Sequence, residues 1–329
     1  MKLLPLAALL LTAACVTACG NRAIRVDLVP VEANLQPQVI EQDPGFWVSD
    51  QIVLIDVTGM ISNTKSAALL SSGSNSVSDL RETLNAIERS PSVKAVVLKL
   101  NTPGGTVTAS DMMYRDLMAF KARTHIPVVV SMMDVCASGG FYISCAGDYR
   151  FAYPTTITGS IGVIAQTISF AGSMDKLGIT QRAIVSGPHK DMLSPLKPLD
   201  PQDAQLAQEF VNQFYGQFVT IVKQSHPNVD PIHWPLLTDG RVVTGMDAAK
   251  YKLVDSTGDL NDAIAKAKDL AHIKKAQLIT YAHYGDTKGS IYANSPAQPP
   301  QMNLVNINLD GTDIIPSSHP TFLYLWQGQ

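Results

Sequence analysis

From Gln51 onward two kinds of pattern alternate along the chain. Short runs that are apolar at nearly every position, QIVLIDVTG, VKAVVLKLN and IPVVVSMMD, are separated by longer stretches, SNSVSDLRETLNAIERS and TASDMMYRDLMAFKART, in which apolar residues recur every three or four positions. The first kind fits strands covered on both faces and the second fits amphipathic helices, so their alternation predicts an α/β fold built on a βαβ sheet with helical cover. Further on, short strands are expected around RFAYP and GVIAQTISF, a short helix near GSMDKLG and a strand at QRAIVSG. The longest predicted helix is DPQDAQLAQEFVNQFYGQFVTIVKQ, with Asp200 as N-cap and Pro201 at the first helical position. Its stripe of Leu206, Phe210, Phe214, Phe218 and Val222 calls for a core or subunit partner rather than a cofactor. A last helix, DLNDAIAKAKDLAHIKKA, carries acids early and lysines late, as its dipole favours.

Both ends depart from this regularity. The start, MKLLPLAALLLTAACVTACGN, has a basic residue, an apolar stretch too short to span about 30 Å of hydrocarbon, and small residues before a cysteine, which predicts a signal peptide rather than a transmembrane helix. Val16-Thr17-Ala18-Cys19 resembles a bacterial lipobox, making Cys19 the expected lipidation site; Cys15 is disfavoured by polar Thr12 three positions before it. A plain secretory signal is the alternative, and either one places the mature protein outside the cytoplasm. The expected organisation is a leader over 1–18, a tether or arm over 19–50, a domain over 51–283 and a Pro/Asn-rich, irregular tail over 284–329. That tail ends in the apolar cluster TFLYLWQGQ, which could clamp a neighbouring subunit or dock on its own domain.

Composition narrows the function. At 329 residues, 46% hydrophobic and 16% charged, the chain is globular, and a net charge of −3 without a Lys/Arg run argues against nucleic acid as a partner. No HExxH or paired-cysteine spacing suggests a metal, and no cofactor is expected. Cys136 and Cys145 would sit roughly 10 Å or more apart across a strand end and a helix, too far for a disulfide, so two buried thiols are expected. Cys136 has no basic neighbour in sequence to activate it.

Candidate chemistry gathers at three glycine-bearing turns, NTPGG, ASGG and TGSIG, each following a strand end, where open α/β sheets place their ligands. Ser138 falls at a predicted strand-to-helix corner, a position that exposes a nucleophile beside helix amides, although Ser-Gly-Gly is also an ordinary turn. Amides of Gly105 and of Ser138 itself would form an oxyanion hole. A serine needs a base, and no histidine lies between His125 and His189. His189 and Lys190 then stand side by side; in an extended segment only one could face Ser138, and a lysine would serve if desolvation brought its pKa from about 10.4 towards 7 or 8.

NTPGG, ASGGFYIS, TGSIGV, SGPHKDMLSP and DGRVVTGMDAAKYKLVD occur in an order and spacing that resembles the short, single-copy form of the signal peptide peptidase A (SppA) family of serine proteases, from about Gln51 to Ile279. The resemblance implies a Clp protease/crotonase-like fold and a Ser/Lys dyad, with Ser138 as nucleophile and Lys190 as general base. It further implies Gly105 as an oxyanion donor, Ser160 as a hydroxyl orienting the lysine, Gly104, Gly139 and Gly140 as backbone supports, and His189 as a bystander. It also implies a ring-like homo-oligomer in which the lysine comes from an adjacent subunit, and extended apolar peptides, such as signal peptide remnants or misfolded envelope proteins, as substrates. A lipid anchor where many members carry a transmembrane helix is this chain's departure, and Gly20 after Cys19 tilts the expected location towards the outer membrane. The rivals are a crotonase-like thioester hydratase or isomerase, which would need an acid that the glycine turns lack, and a scaffold that has lost catalysis.

Overall fold

In a computed structural model, which describes residues 35–64, 75–282, 290–292 and 321–328, the alternating pattern becomes a parallel sheet flanked by helices. In chain order the elements are β1 (Gln36–Gln42), β2 (Gln51–Thr58), α1 (Ser76–Glu88), β3 (Val93–Thr102), β4 (Gly104–Thr106), α2 (Val107–Thr124), β5 (Val128–Ala137), α3 (Gly139–Ser144), β6 (Tyr149–Ala152), β7 (Ile157–Gly159) and β8 (Ile164–Gln166). There follow α4 (Ala171–Lys176), α5 (Pro201–Ser225), α6 (Trp234–Leu237), β9 (Val242–Thr244), α7 (Gly245–Lys250), β10 (Ser256–Thr257), α8 (Leu260–Leu270), β11 (Gln277–Ala282) and β12 (Thr321–Leu325). The expected leader, Cys19 and most of the tail lie outside the described residues.

The main sheet runs β1-β11-β2-β3-β5-β6-β10, with β7 branching from β5 and β9 from β7. From β11 to β10 every neighbouring pair along this row is parallel. Successive residues of β2 enter two separate cores, as a two-residue period requires. Val53 and Ile55 pack with Leu84 of α1 and Leu117 of α2. Ile52 and Leu54 pack with Leu260, Ala263 and Ala267 of α8. Both faces are therefore covered, which is why the strands read as continuous apolar runs.

Helix ends follow their cap residues. Asp200 accepts hydrogen bonds from Gln202 and Asp203 at the start of α5, with Pro201 in the first turn, and Asp259 makes a capping box with Asp262 at the start of α8. Three expectations change. Residues 36–42, assigned to the arm, form β1, an antiparallel edge strand on β11. The strand expected at QRAIVSG does not form; Ile184 there is 98% exposed, and among the described residues no strand lies beside it to satisfy its β propensity. The last apolar cluster is not irregular: β12 pairs antiparallel with β4 on one side and β8 on the other, forming a second, three-stranded sheet on its own domain.

One polar pair is enclosed by this core. Asp56 and Lys99 are register partners on β2 and β3, their charged groups are 3.2 Å apart, and both side chains are 2% exposed. Thr58 also donates to Asp56 at 2.8 Å. Removing one member leaves the other charge buried without its counter-ion, so Asp56→Ala should cost about 3–5 kcal/mol of unfolding free energy. The double change Asp56→Ala/Lys99→Met should recover much of that loss. Urea unfolding of the three proteins measures it, and a single-variant loss below about 1 kcal/mol would refute the account.

Candidate active site

Adjacent parallel strands deliver two glycine turns to one place. β3 ends at Thr102, which is paired with Cys136 near the end of β5. The turn Pro103-Gly104-Gly105 follows β3, and Ser138-Gly139-Gly140 follows β5. Thr102 ties the first turn down: its hydroxyl donates to the Gly59 carbonyl at 2.5 Å and accepts the Gly104 N–H at 3.1 Å.

Ser138 stands where β5 becomes α3, with φ 53° and ψ −113°. A positive φ is uncommon for a residue with a Cβ and costs about 1–3 kcal/mol unless its surroundings hold it. Here both of its backbone groups are held: the Ser138 N–H donates to Gly159 O and its carbonyl accepts from the Tyr142 N–H, each at 2.8 Å. The expected use of the Ser138 amide as an oxyanion donor is therefore corrected, because that N–H is already engaged within the fold.

The next amide, that of Gly139, opens α3 and faces the first turn. A Cβ on Gly104, whose φ is +103°, would stand 2.7 Å from Gly139 N and 2.0 Å from Tyr324 O. A Cβ on Gly139 would stand 2.4 Å from Ser110 Oγ and 3.1 Å from Tyr324 O. One on Gly105 would meet Ile61 O at 1.9 Å, and one on Gly140 would meet Thr102 Cγ2 at 2.6 Å. Four glycines thus let the turn after β3, the corner after β5, strand β12 and the segment at Ile61 approach to a distance that no side chain permits.

The orientation of the Gly105 amide follows from its neighbours. On the Ile61 side the bonds are Ile61 N–H to Gly104 O and Thr106 N–H to Ile61 O, so the Gly105 N–H and carbonyl point the other way, towards β12. There Gly105 is paired with Tyr324, and Trp326 N–H donates to Pro103 O at 2.8 Å. In an antiparallel ladder of that register the Gly105 N–H meets the Tyr324 carbonyl. The Tyr324 carbonyl therefore lies against Gly105 and beside Gly139, the residue that follows Ser138. Ser138 itself is only 1% exposed.

Ser160 follows Gly159, has φ 50° and donates its N–H to Arg241 O at 2.7 Å, so it flanks the serine corner through the same strand whose carbonyl holds Ser138. Lys190 lies on an exposed run of turns, not on an extended segment, and among the described residues no hydrogen bond joins it to Ser138. Its neighbour His189 is engaged elsewhere, with Nδ1 2.8 Å from Asp203 Oδ1. His226 is buried against Phe141 of α3, ring centroids 5.4 Å apart, and burial pushes its pKa down to about 3, which keeps it a neutral packing group. Neither histidine supplies a base for Ser138.

Cys136 and Cys145 are buried free thiols, as expected. Burial pushes the Cys136 thiol far above its ordinary range and Cys145 up to about 11, so neither holds appreciable thiolate near neutrality. Both should resist iodoacetamide at pH 8 in the folded protein and react once it is unfolded in urea, as read by peptide mass spectrometry. Rapid alkylation of Cys136 in the folded state would reopen its candidacy as a nucleophile.

The family model for Peptidase family S49 matches residues 121–274, and that for Clp protease matches residues 50–185. A protein of Enterococcus faecium, provisionally named a signal peptide peptidase SppA, is 34% identical over 239 residues, 73% of this chain and 68% of the relative. Protease 4 of Salmonella typhi is 39% identical over 191 residues, 58% of this chain and 30% of the relative. The chloroplastic serine protease SPPA of Arabidopsis thaliana is 35% identical over 235 residues, 70% of this chain and 34% of the relative. The matched stretch thus spans about a third of the length of these last two proteins.

Proposed function

The chain belongs to peptidase family S49, the serine peptidases that include signal peptide peptidase A, and from that premise we propose that it is an envelope-anchored endopeptidase working through Ser138 and Lys190. The observation that carries the reading is the backbone carbonyl of Tyr324 lodged against Gly105 and Gly139, the latter adjacent in sequence to Ser138. A substrate carbonyl in that place meets the serine hydroxyl on one side and two amides on the other. Ser138 Oγ attacks the carbonyl carbon, and negative charge develops on the oxygen facing the Gly105 and Gly139 N–H groups. Such donors lower a barrier because they are aimed before the charge appears, and losing one typically costs about 3 kcal/mol. Lys190, as the neutral amine, takes the serine proton and returns it to the leaving nitrogen; water then attacks the acyl-enzyme, with the same amine as base.

In this reading Lys190 comes from an adjacent subunit of a ring-like assembly. Its exposure in a single chain supports this, as do the large apolar side chains near it in sequence that remain uncovered, Leu177 at 73% and Ile184 at 98%. Ser160 supports the incoming amine from beside the corner. Attachment through a lipid on Cys19, with the domain facing the periplasm and the outer membrane favoured, rests on the Val16-Thr17-Ala18-Cys19 motif. Among the described residues no helix is long and apolar enough to cross a membrane. Substrates are extended, largely apolar peptides such as signal peptide remnants and misfolded envelope proteins.

Ser138→Ala and Lys190→Ala should each lower peptide cleavage by at least about 1,000-fold while leaving the native mass unchanged. If the pair acts across an interface, dissociating and reassembling an equal mixture of the two inactive proteins should restore up to about a quarter of the sites. Cleavage that survives both substitutions would sink the dyad, and an inactive mixture would place both residues in one chain.

A further inference from the structure

Lys190 stands in a run of turns closed by three backbone bonds: Lys190 N–H to Gly187 O at 3.1 Å, Met192 N–H to His189 O at 3.2 Å and Ser194 N–H to Asp191 O at 3.1 Å. Downstream the segment is pinned. Leu193 is buried, the Thr167 hydroxyl donates to its carbonyl at 3.3 Å, and Phe170 N–H donates to Pro195 O at 2.7 Å. Upstream, residues 179–186 are all exposed.

One buried carboxylate holds both neighbours of Lys190. Asp203, in the first turn of α5, has a side chain only 2% exposed. Its Oδ1 lies 2.8 Å from His189 Nδ1, and its Oδ2 accepts from Lys197 Nζ at 3.0 Å. Lys197 Nζ also donates to Asp191 Oδ1 at 2.7 Å. A carboxylate only accepts, so His189 carries a hydrogen on Nδ1. Hydrogen bonds from His189 and then from Lys197 hold the Asp203 carboxyl below its usual range, and Asp191 and then Asp203 push the Lys197 amine up. The helix does not need this group as its cap, because Asp200 already accepts from the Gln202 and Asp203 N–H groups. Both oxygens of Asp203 are therefore turned to the segment that carries Lys190, while the Lys190 amine itself stays exposed, with no ion pair among the described residues.

We infer that Asp203 is a positioning residue for the base: by gripping His189 directly and Asp191 through Lys197, it fixes the turn from which Lys190 reaches a serine corner. This rests on Lys190 being the base for Ser138. A lysine amine sits at the end of a flexible stem, so its aim depends on the backbone beneath it, and a displacement of about 1 Å at a reacting group can cost about 100-fold in rate. His189 is then a handle on the turn rather than a proton carrier, and Lys197 is the link to the handle on the other side.

The test uses the full chain in its native assembly and a quenched fluorogenic peptide of its own leader, KLLPLAALLLTA. Asp203→Ala should lower kcat about 100-fold, with KM held within about threefold and the native mass unchanged. Asp203→Asn, which keeps the shape and one accepting oxygen, should lose only about tenfold. His189→Ala and Lys197→Met should each cost about tenfold, and neither should deepen the loss in Asp203→Ala, because the three act through one clamp. A nitroxide on Lys190→Cys reports the turn directly, and its electron paramagnetic resonance spectrum should sharpen when Asp203→Ala is added. Cys136 and Cys145 are buried, and the labelled chain without Lys190→Cys supplies the background.

A raised KM with kcat preserved, losses that add across the three residues, or a fall in kcat with no change in nitroxide mobility would each overturn the positioning role. Unchanged kcat and unchanged mobility in Asp203→Ala would overturn it as well. A sharpened spectrum together with full cleavage by both Asp203→Ala and Lys190→Ala would leave the clamp standing and overturn the Ser138/Lys190 reading on which its purpose rests.

Discussion

The site depends on backbone approaching backbone without intervening side chains. Tyr324 O, Gly139 N and Ile61 O each lie where a Cβ on Gly104 or Gly105 would have to go. A single methyl group at either position would force apart the turn after β3, the corner after β5 or the segment at Ile61. The strained φ of Ser138 belongs to the same arrangement: its cost of about 1–3 kcal/mol is met by the two backbone hydrogen bonds that hold it. Glycine is thus needed for access, and the fold around it supplies rigidity.

That rigidity comes from the sheet. β3 and β5 are neighbours in a parallel row whose register is fixed by two cores, one on each face, and by the enclosed Asp56–Lys99 pair between β2 and β3. Both turns emerge from the same end of adjacent strands, so their relative position is set by ladder hydrogen bonds rather than by loop packing. The aromatic layer of Tyr142, Phe218 and Tyr324 then joins α3, α5 and β12 behind the serine corner.

Much of this was legible in the sequence because it is local. Runs such as VKAVVLKLN announce buried strands by composition, and Asp200-Pro201 and Asp259 announce helix starts by cap chemistry. The strand-to-helix corner at Ser138 is legible from the strand, small residues and glycines around it. What stayed hidden depends on partners distant in sequence. QRAIVSG has strand-forming residues and, among the described residues, no strand to pair with; β1 has few apolar residues and is a strand because β11 leaves an edge open to it. The Ser138 amide reads as available in the sequence, and only the position of Gly159 O shows that it is committed. TFLYLW was visible as an apolar cluster, and the stripe of Phe210, Phe214 and Phe218 as a helix face lacking a partner, yet only the three-dimensional register shows that each completes the other.

The slot between β4 and β8 offers two rows of amides and carbonyls to whatever lies between them. A helix has already committed its own amides internally and cannot present them sideways, and a folded domain is too thick to enter a gap one strand wide. The slot therefore screens shape ahead of spelling: it has room for one extended segment, as β12 is, and for nothing already folded.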